Sequence, residues 1–180
     1  MSKESVIGEI HNLFEAAVLT MFESFGCEIK RILEPPYELT DVPLASMDAG
    51  SQDIEVMIFI SMPLPILALT YPSSLERIIA IDESTLEAWF PELANQLMGK
   101  LKNKLILYGC NLQMGLPNSY FGKNLSEVLP EGYDHATFYF DVDGEVFETC
   151  LSINIFNEDM VVLSSGNVDT GPDDGELELF

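Results

Sequence analysis

The sequence predicts an α+β fold: a duplicated helix-plus-strands unit whose two long helices pack on one largely antiparallel sheet with pseudo-twofold symmetry. Three observations lead there. Two amphipathic stretches with helical spacing, residues 5–25 and 84–109, are each followed by short β-rich runs. Asp143-Gly144 stands between two further β-rich runs, a strong short-range hairpin signal. A single gapless shift of 83 positions lays Glu9 on Glu92, Asn12 on Asn95, Gly26 on Gly109, Cys27 on Cys110 and Tyr37 on Tyr120. Five matches at one offset point to pseudo-repeats over about 5–71 and 84–156, inside a single domain of residues 1–160.

Taken in order, the first helix places Ile7, Ile10, Phe14, Val18, Met21 and Phe22 on or near one side, with Ser5 as its N-cap and Gly26 as its stop. Cys27 to Leu33 reads as a short strand closed by Pro35 and Pro36. Residues 37–52 are polar and broken by Pro43 and Gly50, which predicts a loop. Ile54 to Met62 is a strongly apolar strand, and Ile66 to Tyr71 reads as another, with Pro63 and Pro65 in the connection. The central helix, Ser84 to Gly109, buries Leu86, Trp89, Phe90, Leu93, Leu97, Met98, Leu101 and Leu105 in the pattern reading. Ser84 and Glu87 form a capping box there, and Gly109 supplies a left-handed end.

Beyond it, Cys110 to Leu116 reads as a strand and residues 117–134 as a loop, followed by the hairpin of Ala136–Val142 and Glu145–Phe156. Residues 161–180 are an acidic tail with few packing residues, expected to be poorly ordered.

Composition narrows the function classes. A formal net charge of −22 argues against nucleic acid, whose phosphates are held by Lys and Arg, and against an anionic membrane surface. No basic-then-apolar leader and no apolar run of roughly 18 residues is present, so a cytoplasmic protein is expected. Cys27, Cys110 and Cys150 show no metal-binding spacing and are expected as small reduced core thiols. His11 and His135 have no partner pattern.

The candidate site is Glu92 with Asn95, three residues apart and so on the same part of the helix surface. On residue pattern alone, a solvated helix face with a local hydrogen bond explains the pair better than a site does. Pro91 precedes it directly, so either the helix kinks there or it restarts with Pro91 in its first turn.

ELANQLMGKL, followed by LYGCNLQMGLPNSYFG, resembles the CheC/CheX chemotaxis phosphatases, whose signature is Glu-x-x-Asn with a glycine four residues after the Asn. Here those residues are Glu92, Asn95 and Gly99, and the later Gly115-Leu116-Pro117 and Gly122 also fall where such sequences carry them. The resemblance covers most of residues 5–156 and leaves the acidic tail outside. It implies hydrolysis of the aspartyl phosphate of a CheY-like response regulator. Asn95 would position the water and Glu92 would pair with the receiver's lysine, with Gly99 and Lys100 as the partner-binding residues, although Gly99 would equally allow close approach by another helix.

The resemblance places Mg2+ in the partner receiver and requires no cofactor or metal on this chain. It also suggests a homodimer. Glu9 and Asn12 form a second Glu-x-x-Asn, as in members with two active motifs, although Ala16 stands where Gly99 does and the CheX-type pattern keeps only the later motif. A solvated helix end explains Lys100, Lys102 and Lys104 adequately, and toward an acidic receiver they would also soften repulsion. The competing reading is a non-catalytic receiver-binding or dimerising adaptor of the same fold. A small-molecule enzyme has little support, because no nucleophile and base are recognisable.

Overall fold

The computed structural model describes residues 2–37, 39, 42–72, 81–120 and 122–157. Helix α1 (Lys3–Ser24) starts two residues before the sequence reading places it. Ser2 is the N-cap, and its hydroxyl accepts from the Ser5 N–H at 3.3 Å, so Ser5 is the capped residue and not the cap. The helix stops as expected. Gly26 has φ +79°, and the Cys27 N–H reaches back to the Phe22 carbonyl at 3.2 Å, closing the last turn. Strand β1 (Ile29–Ile32) follows.

The stretch expected as loop holds a central strand, β2 (Leu44–Gly50), paired along its whole length with β3 (Ile54–Ser61). Its sequence, LASMDAG, has small and polar residues of low strand propensity. It is also buried on both faces from Leu44 to Met47, so no period-two alternation marks it. The small residues have a packing reason: α3 lies directly over β2, and Ala45 and Ala49 join the core beneath it.

The strand expected at Ile66–Tyr71 is a helix, α2 (Leu64–Thr70). Pro63 is its N-cap and Pro65 lies in its first turn, where a missing N–H costs nothing. A short apolar run does not distinguish the two periods, and the prolines here mark a helix start, not a link between strands.

Helix α3 runs from Glu83 to Ile106. Its cap is Asp82, not Ser84: the Asp82 carboxylate accepts from the Thr85 N–H at 2.7 Å and from the Ser84 hydroxyl at 2.8 Å. These hydrogen bonds, with Ser84 first among them, hold the Asp82 carboxyl below its ordinary pKa. Gly109 has φ +81°, and the Cys110 N–H bonds the Leu105 carbonyl at 3.1 Å, repeating the stop seen at Gly26. The next strand is only β4 (Gln113–Met114), and the expected loop contains β5 (Asn118–Tyr120) and a helical turn, α4 (Leu125–Val128). The hairpin forms as expected from β6 (Asp134–Val142) and β7 (Glu145–Ile155), with positive φ at Asp143 and Gly144.

The sheet order is β1-β6-β7-β3-β2-β4, with β5 also on β2, and every pairing is antiparallel. The hairpins β2–β3 and β6–β7 thus lie side by side, joined through β3 and β7. On one face α1 packs over β1 and β7, α3 over β2 and β3, and the two helices against each other. Phe14, Phe22, Phe90, Phe140 and Phe147 fill the core between these layers. The other face carries a smaller cluster, in which Leu125 and Val128 of α4 cover Leu44, Phe59 and Cys150. The acidic tail of residues 161–180 lies outside the described residues, and the expectation about its order with it.

Candidate functional site

Glu92 and Asn95 emerge from the outer side of α3, because the stripe from Leu86 through Phe90, Leu93, Leu97, Leu101 and Leu105 holds the opposite side against the sheet. Glu92 is exposed and Asn95 half-buried. Among the described residues, neither side chain is held by a hydrogen bond or an ion pair. The restart at Pro91 does not occur: α3 continues through Pro91 as one element, and Glu92 sits well inside it. Lacking an N–H, Pro91 leaves the Glu87 carbonyl without its usual helix partner one turn before the motif.

Gly99 lies one turn beyond Asn95 and is half-buried. A Cβ built on it would meet nothing within 4 Å. No packing inside the described part of the chain therefore requires glycine there, although glycine within a helix costs about 0.5–1 kcal/mol against alanine. The bare backbone at Gly99 lies on the same side of the helix as the pair. Lys100, Lys102 and Lys104 are half-buried and form no ion pair among the described residues, where the salt bridges are Lys3–Asp134, Lys30–Asp141 and Arg31–Glu15.

The second pair is also at the surface, with the burial reversed: Glu9 is half-buried and Asn12 exposed. Leu13 packs against the core and Phe14 is fully buried, so the residues after this motif are committed to the interior. His11 lies beside it with its ring edge on Phe138, 6.0 Å between centroids, and its Nε2 is buried without a hydrogen-bond partner. Burial holds the His11 pKa below its ordinary value. His135 is occupied structurally, with Nδ1 2.7 Å from the Ser152 hydroxyl and Nε2 3.0 Å from the Pro130 carbonyl.

Two cavities among the described residues stand apart from both pairs. One cavity of about 370 Å³ is bordered by Pro43, Pro63, Pro65, Glu83 and Glu87 near the start of α3. Another of about 390 Å³ lies on the far face of the sheet beside Tyr139 and Glu148, whose carboxyl burial pushes up in pKa. Among the described residues no group of three His, Cys, Asp or Glu side chains could hold a metal ion. Also among the described residues, no helix is long and apolar enough to cross a membrane. Cys27, Cys110 and Cys150 are free, buried thiols.

Sequence reasoning missed the partner of Gly115. A Cβ there would fall on the Asp48 carboxylate, and the Gly115 N–H donates to the Asp48 carbonyl at 2.9 Å. Gly115-Leu116-Pro117 is thus the join between β4 and β5 along β2, and the available signal was the glycine itself. Tyr37 and Tyr120 are both anchored through their hydroxyls, the first accepting from the Val146 N–H and the second bonded to Ser46.

No family model and no curated protein matches the chain. Solved structures do. The chain is similar to the chemotaxis protein CheX of Vibrio vulnificus, at 15% identity and a TM-score of 0.64, covering 81% of this chain and 97% of that one. A CheC-like superfamily protein from Shewanella sp. PV-4 gives 17% identity and a TM-score of 0.57 over 81% and 97%. CheX in the CheX–CheY–BeF3–Mg2+ complex of Borrelia burgdorferi gives 16% identity and a TM-score of 0.60 over 79% and 96%.

Proposed function

We propose, for a chain that has the fold of the CheX and CheC-like chemotaxis proteins, that it accelerates hydrolysis of the aspartyl phosphate of a CheY-like response regulator by presenting α3 to the receiver's phosphorylation site. The observation that carries this reading is the surface of α3: Glu92, Asn95 and the bare Gly99 lie on a helix side outside the core, unengaged among the described residues. A convex helix of this kind does not enclose a substrate. It inserts into a pocket that another protein supplies.

The chemistry suits the residues. Phosphoryl transfer from an aspartyl phosphate is limited by positioning and charge stabilisation, and the receiver's own Mg2+ supplies the latter. The Asn95 carboxamide accepts from the attacking water and donates to a phosphoryl oxygen, placing no further anion beside the phosphate. The Glu92 carboxylate pairs with the receiver's lysine and sets the docking register. Gly99 admits the partner's backbone, and Lys100 meets its acidic rim. In the Borrelia complex a CheX is likewise held with CheY, BeF3 and Mg2+.

The half-burial of Asn95 favours one second reading, a non-catalytic adaptor in which Glu92 docks on a receiver but Asn95 stops short of the phosphoryl group. A homodimer fits either reading, with a second copy added at the outer strand edges of β1 or β4–β5. Phosphate release from a phosphorylated receiver separates the two. Acceleration by the wild type that collapses in folded Asn95→Ala supports catalysis. Binding without acceleration supports the adaptor.

A further inference from the structure

The face of the sheet away from α1 and α3 holds a carboxylate for which the described fold supplies no counter-charge. Glu148 lies in β7, directly opposite Tyr139 of β6 and two residues before the buried Cys150, so all three share that face. Leu125 of α4 covers Cys150 and leaves Glu148 half-buried at the helix edge. Among the described residues Glu148 accepts no hydrogen bond and forms no ion pair. Burial alone pushes its carboxyl up in pKa, and no cation opposes the shift. Seven of the eight basic residues are described, and the ion pairs they form go to Asp134, Asp141 and Glu15. An uncompensated carboxylate is costly in such a place, where a neutral side chain would serve the sheet as well.

The carboxylate borders the open cleft of about 390 Å³, toward the small end of the roughly 300–1,000 Å³ typical of ligand sites. The strands contribute Thr137, Tyr139 and Glu148, whereas Leu125 and Leu129 of the α4 segment and Pro35 after β1 supply apolar sides. The Tyr139 hydroxyl makes no hydrogen bond among the described residues. Burial first, and the Glu148 charge after it, push the Tyr139 pKa up, so the two groups sense each other across the strands. Glu34 adds to the same shift, and the chain as a whole carries −22, so the potential here favours positive charge. Apolar walls around one charge and one hydroxyl give burial from the walls and orientation from the polar pair.

We propose that this cleft binds a small organic cation, an ammonium or guanidinium group on a compact apolar body, with Glu148 as its counter-ion. The cation donates to the Glu148 carboxylate, a charge-assisted hydrogen bond strengthened by the partial burial of the site. The Tyr139 hydroxyl oxygen accepts a second bond, and the apolar body lies against Leu125, Leu129 and Pro35. A bare metal ion is a poorer occupant, because no group of three acidic, His or Cys side chains converges among the described residues. The cleft is on the opposite face of the sheet from α3, so this inference does not rest on the receiver-directed reading.

The test titrates the full chain with benzylamine, benzyl alcohol and benzoate while backbone amide spectra are recorded, in about 0.15 M NaCl to screen the net charge. Benzylamine is expected to give saturable shifts at residues 125–129, 137–139 and 148, with a Kd on the order of millimolar. Benzyl alcohol should bind about tenfold more weakly or worse, and benzoate not at all. Glu148→Gln is expected to weaken benzylamine by about tenfold or more without lowering Tm, since it removes an uncompensated charge, and Tyr139→Phe by a few-fold. Equal binding of amine and alcohol to the wild type would overturn the proposal whether or not the variants fold. So would amine binding that survives Glu148→Gln, or shifts spread over the whole acidic surface, either of which marks attraction by net charge alone. Tighter binding of Nα-acetyl-lysine methylamide than of benzylamine would overturn the free small molecule in favour of a lysine side chain.

Discussion

Helices α1 and α3 carry the same Glu-x-x-Asn the same distance before a glycine stop, yet they hold it in different ways. Both end on a left-handed glycine, φ +79° at Gly26 and +81° at Gly109, with the same backbone closure onto Phe22 and Leu105. In α3 Glu92 is exposed and Asn95 half-buried; in α1 Glu9 is half-buried and Asn12 exposed. After the motif α3 has polar Gln96 and bare Gly99, whereas α1 has Leu13, packed on the core, and Ala16. Just before it stand Pro91 in α3 and Gly8 in α1, two poor helix formers at matching positions. The motif repeats; the surface around it does not. In the proposed function, it is what flanks the pair on α3 that makes it a docking surface.

The comparison can be broken most directly at the asparagines. Asn95→Ala is expected to lower receiver dephosphorylation by about 10²–10³-fold, the usual cost of losing one positioning donor, while Asn12→Ala leaves the rate within about twofold. Equal losses would mean that both helices are active, and a loss only in Asn12→Ala would transfer the site to α1.

Next come the residues before the motifs. Pro91→Ala restores an N–H for the Glu87 carbonyl and is expected to stabilise the fold by up to about 3 kcal/mol in denaturant unfolding. Gly8→Ala should give only about 0.5–1 kcal/mol, since the added Cβ meets nothing within 4 Å. A destabilising Pro91→Ala would show that α3 is shaped around the proline.

Smaller still is the glycine after the motif. Gly99→Ala is expected to stabilise unfolding by about 0.5–1 kcal/mol, because its Cβ also meets nothing, yet to weaken receiver binding. Ala16→Gly should destabilise by a similar amount with binding unchanged. A Gly99→Ala protein that binds as tightly as wild type would end the role of the bare backbone.

The smallest effect separates the helices by pH. Burial first, and the Arg31 charge after it, hold His11 in α1 below its ordinary pKa, against an opposing pull from Asp134. The unfolded chain therefore takes the proton first. The contribution of neutral His11 is full above about pH 6.5 and is lost as pH falls through the unfolded and then the folded value. His11→Gln is expected to flatten the fall of Tm between pH 7 and 5.5. An unchanged slope would place the titration elsewhere.

Much of this molecule was legible in its residues. Local rules sufficed where one short segment carries the whole signal: the helical stripes, the glycine stops at Gly26 and Gly109, and the Asp143-Gly144 turn, whose positive φ values only a few residue types adopt easily. The Glu92–Asn95 pair could be placed on one helix side for the same reason. Other features depend on what packs against a segment. Strand β2 has the composition of a loop and is a strand because β3, β4, β5 and α3 surround it. Leu64–Thr70 is too short for its period to show, so its contacts with α3 and β7 decide that it is a helix.

Sequence alone, then, determined the α+β class, the two long helices, the hairpin and the residues that could form a site. Tertiary structure decided which side of each helix is buried, how far each Glu and Asn emerges, and that Gly99 faces open space while Gly115 is filled against Asp48. Backbone preferences act over a few neighbouring residues and can be read along the chain. Burial and clearance are set by residues distant in sequence, and they exist only once the sheet and both helices are assembled.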